Sequence, residues 1–455
     1  MRLLAGIALM AAFSACSATA MALRGGPAAT ADWLSAPLAS FELALGENPS
    51  PVHLLRPPAA PLSPLAQLGR QIFFDKSLSA SGKLSCAACH SPQNDYVPAD
   101  TAPAEYGGPS LAQQGARAVP SLMYLQAEPP FSIGPDPSDG AEDPVALPQL
   151  AALAASAPRA QKTADSTAAS AANVVPQGGL FWDGRASTLP DQAIGPLQNP
   201  IEMDGGSIQN IAAKLLAAPY AQNFAAVFPP GYTANPDTLV SDAVIAISRY
   251  EVEDPQFHPY ASKYDAWLEG KARLSAAEMR GYVLFNDPKK GDCGACHLDQ
   301  PGPNGEPPLF TDHQFEALGV PRNPDLAANQ NPAYDDLGIC GPFRKDLAAQ
   351  TQYCGMFLTP TLRNVARKNV FFHNGVYNTL KQVLDFYNFR DTQPDKIYPK
   401  DAAGNVQKFN DLPRAFWPNI DTADPPFDRQ LGESPPLTPA EEQDIIAFLG
   451  TLDDR

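Results

Sequence analysis

Cysteine, histidine and basic residues are all scarce in this chain. It has seven cysteines and six histidines in 455 residues, which is too little cysteine for a disulfide-stapled scaffold. Its 32 lysines and arginines are outnumbered by 49 aspartates and glutamates, so the formal net charge is −17. A chain of that sign repels phosphate backbones and anionic lipids, so we expect neither nucleic acid nor a charged lipid surface as a partner.

Long apolar runs are missing too, apart from one short run at the start. Residues 3–13 are apolar and follow Arg2, and small residues then offer a cleavage site. This layout predicts a signal peptide over residues 1–20 and export to the periplasm, because such a run is too short for a stable membrane anchor. Cys16 follows Phe-Ser-Ala, a weak lipoprotein box, so a lipid anchor at Cys16 remains an alternative.

Proline is in excess. The 49 prolines are about twice the usual share, which favours short helices and long ordered loops. Strand signals are few, and capping boxes at Ser275 and Thr438 together with helical spacing over 237–251 predict helices. We therefore predict a mainly α, loop-rich fold. Residues 21–64 are predicted to be an extended N-terminal lead, and the Pro/Ala-rich stretch 128–176 an inserted loop.

The chain contains one internal repeat. The segment Gly69–Asp75 precedes a first Cys-x-x-Cys-His motif, and Gly281–Asp287 precedes a second one. Two copies of a helix leading into the same motif indicate two related halves. We predict that the halves form two domains, 65–254 and 255–455.

The two motifs are Cys86-Ala87-Ala88-Cys89-His90 and Cys293-Gly294-Ala295-Cys296-His297. This pattern is the attachment motif of c-type haem: two thiols on one helical turn bond to the haem, and the next histidine ligates its iron. A four-cysteine zinc ribbon needs its pairs closer together, and a thioredoxin-like site needs a βαβ unit. We therefore predict two covalent c-type haems in two cytochrome c-like domains.

Two further cysteines, Cys340 and Cys354, flank a short segment of the second half. In an oxidising compartment such a pair is expected to form a disulfide. The alternative is a redox-active pair, which the segment does not favour because it lacks the surroundings of a reactive thiol.

The sequence also bears on the second axial ligand of each haem, which separates electron carriers from catalysts. There is no histidine between His90 and His258. A histidine close in sequence is therefore not available to close the first haem, and an open haem can accept peroxide or oxygen.

Three segments carry a resemblance to a known family. They are LGRQIFFDKSLSASGKLSCAACHSP (68–92), FWDGRASTLPDQAIGPLQNPIEM (181–203) and FLTPTLRNVARKNVFFHNGVYNTLKQVLDFY (357–387). Their content and order resemble the bacterial di-haem cytochrome c peroxidase and MauG family, over roughly residues 62–455 without the insertion.

The resemblance implies that the first haem domain is peroxidatic and that the second is the electron-transfer domain. Trp182 matches the tryptophan between the haems, and Glu202 matches the distal acid–base carboxylate. Gln192 and Pro196 match other distal positions, and His373 matches a histidine of the second domain. Without the family context, Glu202 would be taken as an exposed loop glutamate and Trp182 as a core aromatic.

Two departures favour the MauG branch. The stretch EYGGPSLAQQGARAVPSL (105–122) has no histidine, whereas in the peroxidase branch a loop histidine often closes the first haem there. Tyr387 stands where that branch has a methionine ligand, so Tyr387 is the predicted second ligand of the second haem. Met279 and Met356 are the competing candidates.

A third departure concerns calcium. The family holds a structural Ca²⁺ between the haems, partly through an asparagine in an Arg-Asn pair, and this chain has Arg117-Ala118. Ca²⁺ is therefore uncertain here and would depend on backbone oxygens and water.

The predicted function is that of a hydrogen-peroxide-dependent di-haem oxidoreductase. Its electrons would come from a small c-type cytochrome or cupredoxin, or, as in MauG, from residues of a partner protein. The alternative is a non-catalytic di-haem electron-transfer cytochrome, which would need six ligands on both irons.

Overall fold

A computed structural model describes residues 42–135 and 174–454. The predicted signal peptide, Cys16 and the middle of the predicted insertion lie outside these ranges.

Short helices and long connections make up the described chain. The α-helices are α1 Pro64–Phe73, α2 Cys86–Cys89, α3 Leu189–Gln198, α4 Ile208–Ala217, α5 Phe224–Val227, α6 Pro236–Glu253, α7 Lys263–Leu268, α8 Ala276–Asn286, α9 Leu380–Phe389 and α10 Pro439–Leu449. The strands are β1 Tyr106–Gly107, β2 Gln113–Gln114, β3 Ser132–Pro135, β4 Val174–Gln177, β5 Phe315–Glu316 and β6 Phe357–Leu358. They pair antiparallel as β1–β2, β3–β4 and β5–β6. The prediction of a mainly α fold is confirmed.

The helix starts follow the capping chemistry of the sequence. Ser275 and Glu278 form a capping box at α8, and Thr438 and Glu441 form one at α10. At α1, Ser63 is the N-cap and accepts a hydrogen bond from the Ala66 amide. Each cap satisfies amides that the first turn leaves without partners.

The first core forms where α1 packs on α6. Gly69 makes this close contact, since a Cβ there would lie 1.8 Å from the Ala246 carbonyl oxygen. Buried Phe73 and Ile247 lie in the same cluster, together with Phe257.

The second core repeats this arrangement with α8 and α10. A Cβ on Gly281 would lie 1.9 Å from the Asp444 carbonyl oxygen. The repeated glycine of the sequence therefore has one physical role in both halves, which is to let two helices cross in contact. The N-terminal lead also belongs to this core, since Leu54 is buried in it and Arg56 pairs with Glu269.

The ends of the predicted insertion are ordered as strands. β3 pairs with β4 from Ser132–Gln177 to Pro135–Val174. The expectation of an irregular loop is wrong at these ends, because apolar Ile133 and its neighbour Phe131 pack with Phe315 into a small core. The domain boundary at 254/255 stays a prediction, and Phe257 and Tyr260 pack in the first core.

A disulfide joins Cys340 to Cys354, whose Cα atoms lie 5.1 Å apart. The Cys354 carbonyl accepts a hydrogen bond from Asn419. The bridge therefore closes a loop that is also tied to a later part of the second half.

Candidate haem sites and the residues between them

The first motif lies on the single turn of α2. His90 caps this turn, and its Nδ1 lies 3.0 Å from the carbonyl oxygen of Tyr96. That contact leaves Nε2 to face a ligand, which is the arrangement a metal-bound imidazole needs. Burial lowers the pKa of His90 to about 4, so the ring is neutral and has a free lone pair.

The histidine of the second motif is oriented in the same way, by a backbone carbonyl. His297 Nδ1 lies 2.9 Å from the carbonyl oxygen of Phe310, and burial lowers the pKa of His297 to about 4. The two acceptors, Tyr96 and Phe310, are buried aromatics with a φ of 56° each. Bulky residues rarely adopt this left-handed backbone, so their surroundings must hold it. Each half thus orients its histidine through an aromatic residue in an unfavourable conformation.

A cavity of about 600 Å³ lies between the halves. Its wall includes Cys293, Cys296 and His297 from the second motif, and Trp182 and Gln192 from the first half. A largely apolar cavity with two thiols and a neutral imidazole in its wall suits a covalently attached haem. The residues of the second motif therefore fit the cofactor that the sequence predicts.

Tyr387 on α9 lines this cavity. Burial raises the pKa of its hydroxyl well above the ordinary value, and the nearby Cys296 and Cys293 raise it further. Its ring stacks on Phe427, with centroids 5.3 Å apart. Tyr387 therefore lies close to the second pair of cysteines, as a ligand must.

The two competing methionines are placed elsewhere. Met279 is packed in the core of the second half, and Met356 in the small core beside β5 and β6. Neither is among the described residues that line the cavity. This placement favours Tyr387 over both.

Glu202 lies in the turn after α3. Asn199 Nδ2 donates to its Oε1 at 2.5 Å. Burial raises the pKa of the Glu202 carboxyl, while Asn199 and the charge of Arg185 oppose the rise. Burial also raises the pKa of the Cys89 thiol, and the charges of Glu105 and Glu202 add to it. Asp100 adds a third, smaller contribution. Several carboxylates therefore act on the first motif, and only Glu202 was predicted from the sequence.

The loop without histidine packs directly on Glu202. The Gly108 amide donates to the Glu202 carbonyl at 2.8 Å. A Cβ on Gly107 would lie 2.6 Å from that same oxygen. Glycine at this point lets the loop approach the carboxylate residue without a side chain between them.

Gln192 and Pro196 share helix α3. Gln192 is buried and lines the cavity. Pro196 stands inside the helix and has no amide hydrogen, so it cannot donate to the Gln192 carbonyl. The Pro196 carbonyl accepts from Met203, which folds the turn containing Glu202 back onto the helix.

Trp182 and His373 are both hydrogen-bonded to the backbone of one residue, Ala118, between the halves. Trp182 Nε1 donates to the Ala118 carbonyl at 2.8 Å, and the Ala118 amide donates to the His373 carbonyl at 2.7 Å. The His373 ring stacks on Phe357, with centroids 3.5 Å apart. The indole therefore lies in a fixed position between the two halves and in the cavity wall.

Arg117 fixes the same region through charge. Its guanidinium makes two 2.7 Å contacts with Asp336 of the second half and one of 2.7 Å with Asp183, the neighbour of Trp182. Sequence analysis considered Arg117-Ala118 only for calcium and missed this role. Among residues 42–135 and 174–454, no group of three or more His, Cys, Asp or Glu side chains could hold a metal ion.

Two c-type motifs, each with an oriented histidine, define a di-haem protein of the cytochrome c type. Comparison with known proteins identifies the family of the chain. A family model described as di-haem cytochrome c peroxidase matches residues 63–273. Methylamine utilization protein MauG of Paracoccus denitrificans is 29% identical over 401 residues, covering 86% of this chain and 89% of that one.

Two further relatives agree. Cytochrome c551 peroxidase of Nitrosomonas europaea is 28% identical, covering 81% of this chain and 84% of that protein. The crystal structure of the di-haem peroxidase BthA from Burkholderia thailandensis is 33% identical, covers 89% of each chain and has a TM-score of 0.72. The chain belongs to the di-haem cytochrome c peroxidase and MauG family, and it is an oxidoreductase of the peroxidase type. The family resemblance and the prediction of an enzyme are confirmed.

Within residues 42–135 and 174–454, no helix is both long and apolar enough to cross a bilayer.

Proposed function

We propose that this protein is an exported periplasmic peroxidase with two covalent c-type haems, and that hydrogen peroxide reacts at the first. The observation that carries the proposal is the partly buried Glu202 beside the first motif, covered by a loop without histidine. A bound haem supplies the iron at which peroxide is reduced. Each peroxide takes two electrons and two protons and gives two waters.

Glu202 accepts and donates the protons of this reaction. A carboxylate must take a proton from one peroxide oxygen and return it to the departing oxygen. The raised pKa of Glu202 brings its titration toward the pH at which both transfers are efficient. Asn199 holds the carboxylate in place. Gln192 and Pro196, on the helix that precedes the turn containing Glu202, are the proposed further distal residues.

The second half supplies and stores electrons. Tyr387 and His297, which line the same cavity, would be the two protein ligands that hold the second haem iron. A tyrosinate is a hard anion that favours oxidised iron. Trp182 is the proposed route between the haems. The ring nitrogen of its indole is held by the Ala118 carbonyl, and the neighbouring Asp183 is held by Arg117. His373, whose carbonyl accepts a hydrogen bond from the amide of the same residue, Ala118, supports this position.

The electron source is a small c-type cytochrome or cupredoxin, or, following the relatives named MauG, residues of a partner protein. Calcium is proposed only as a backbone-held ion near Ala118, because a side-chain ligand is missing there. Lipidation at Cys16 remains an alternative route to the same compartment.

Stopped-flow mixing with hydrogen peroxide tests the role of Glu202. We expect Glu202→Gln to slow the spectral change of the haem-loaded protein by about 10²- to 10⁴-fold, the usual contribution of a proton-transfer group. Glu105→Gln is the matched variant, since Glu105 is another glutamate whose charge acts on Cys89. A slow Glu105 variant with an unaffected Glu202 variant would assign the role to Glu105 and refute the proposal.

The ligand proposal is tested by spectroscopy of the second haem. Tyr387→Phe should change its absorption and electron paramagnetic resonance spectra. Tyr377→Phe, at a partly buried tyrosine in the same aromatic cluster, should leave them unchanged. Turnover with a reduced c-type cytochrome, compared with oxidation of a partner protein, then distinguishes the two electron sources.

A further inference from the structure

The cavity between the halves has a strongly one-sided charge. Eight aspartates and glutamates contribute to its wall. Among the described residues that line it, Lys368 is the only lysine or arginine. Each haem brings two propionate carboxylates, so the cofactor would add negative charge to an already acidic site.

Lys368 has no ion pair within the described parts of the chain, and part of its surface faces the cavity. The adjacent cation, Arg367, is already paired with Asp95. Burial lowers the pKa of Lys368 to about 8, and the charge of Asp95 opposes this. An ammonium surrounded by protein without a close carboxylate is unfavourable, and a buried partner would relieve the cost.

The neighbourhood of Lys368 selects the second haem. Burial is the main cause that lowers the pKa of His297, and the positive charge of Lys368 lowers it further. Val365 and Asn369, on the same segment, line the cavity together with Cys293 and Cys296.

We propose that the Lys368 ammonium binds a propionate of the second haem. This rests on the proposed loading of both motifs with haem. Lys368 then fixes the orientation of the second haem and keeps its propionate ionised. It is a cofactor-binding residue and makes no contact with peroxide.

Spectroelectrochemical titration of the haem-loaded protein tests the proposal. Lys368→Met should lower the midpoint potential of the second haem, because loss of a neighbouring positive charge favours the oxidised iron. A tenfold change in the redox equilibrium corresponds to about 59 mV, and we expect a shift of that order. The potential should also become more dependent on pH, since an unpaired propionate takes up a proton more readily.

Two variants serve as controls. Lys368→Arg keeps the charge and should retain most of the wild-type potential. Lys289→Met removes the same charge from an exposed position close to the second motif and should have little effect. A fully loaded Lys368→Met protein whose potentials match those of Lys289→Met would overturn the proposal, and so would a shift confined to the first haem.

Haem content, measured from the alkaline pyridine spectrum, distinguishes the outcomes in which a variant fails to bind the second haem. If Lys368→Met loses the second haem and Lys368→Arg retains it, the need for charge is supported. If both variants lose it, Lys368 acts through packing and the proposal fails. A wild-type protein with one haem would instead refute the proposed two-haem function.

Discussion

Arg117 carries a buried charge between the two halves, and we expect Arg117→Leu to lower the free energy of unfolding by about 3–5 kcal/mol, the usual cost of removing one partner of a buried pair. The side chains are almost fully enclosed: Arg117 is 8% exposed, Asp183 0% and Asp336 6%. Asp183 keeps a second cation, Arg185, at 2.9 Å. Among the described residues, Asp336 keeps the Gly338 amide as a hydrogen-bond donor and has no other salt bridge, so one carboxylate loses its cation.

Chemical unfolding of the haem-loaded protein, followed by circular dichroism, measures the change. Arg280→Leu is the matched control, because Arg280 makes the same two-pronged contact with Asp444 on the surface. Exposed pairs contribute little, so its loss should be much smaller. The double variant Arg117→Leu with Asp336→Asn should recover part of the loss, since it no longer leaves a charge without a partner.

The reasoning would be refuted if Arg117→Leu lost no more stability than Arg280→Leu. It would also be refuted if the double variant were as unstable as the sum of its two single variants, because the two charges would then not interact.

Two further predictions follow from the packing and the electrostatics. Gly69→Ala should destabilise the first half by about 1–3 kcal/mol, the usual cost of overpacking, because its Cβ would overlap the Ala246 carbonyl. Ala213→Gly, at an exposed position inside α4, is the comparison in the same unfolding assay. Asn199→Ala should raise the pKa of Glu202, because it removes a hydrogen bond to the ionised carboxylate. The acidic limb of the peroxide rate should therefore move to higher pH, and an unmoved limb would contradict the assignment of that limb to Glu202.

The local features of the fold could be predicted from the sequence because neighbouring residues determine them. The capping boxes at Ser275 and Thr438 and the helix around 237–251 depend on contacts within one or two turns. The paired glycines at 69 and 281 were visible as a repeat, although their role in helix crossing needed the structure.

Other features depend on residues far apart in the chain and could not be predicted. Nothing near Tyr96 or Phe310 indicates a left-handed aromatic, since that conformation is held by surrounding packing. Likewise, the approach of Lys368 to the second motif becomes visible only once the cavity is closed by both halves.

The contacts that position Trp182 also depend on residues far apart in the chain. Their chemistry suggests why the contact is charged and not apolar. Arg117 bridges residues 66 and 219 positions away, and it does so with buried charges rather than apolar side chains. A buried ion pair adds little net stability compared with well-packed apolar groups, but it permits few alternative geometries. Apolar surfaces can slide by an ångström and remain buried, whereas a two-pronged guanidinium contact cannot. We infer that the charged contact maintains the position of the Trp182 indole relative to both halves. Arg117→Leu should then slow electron transfer between the haems even under conditions where the protein remains folded.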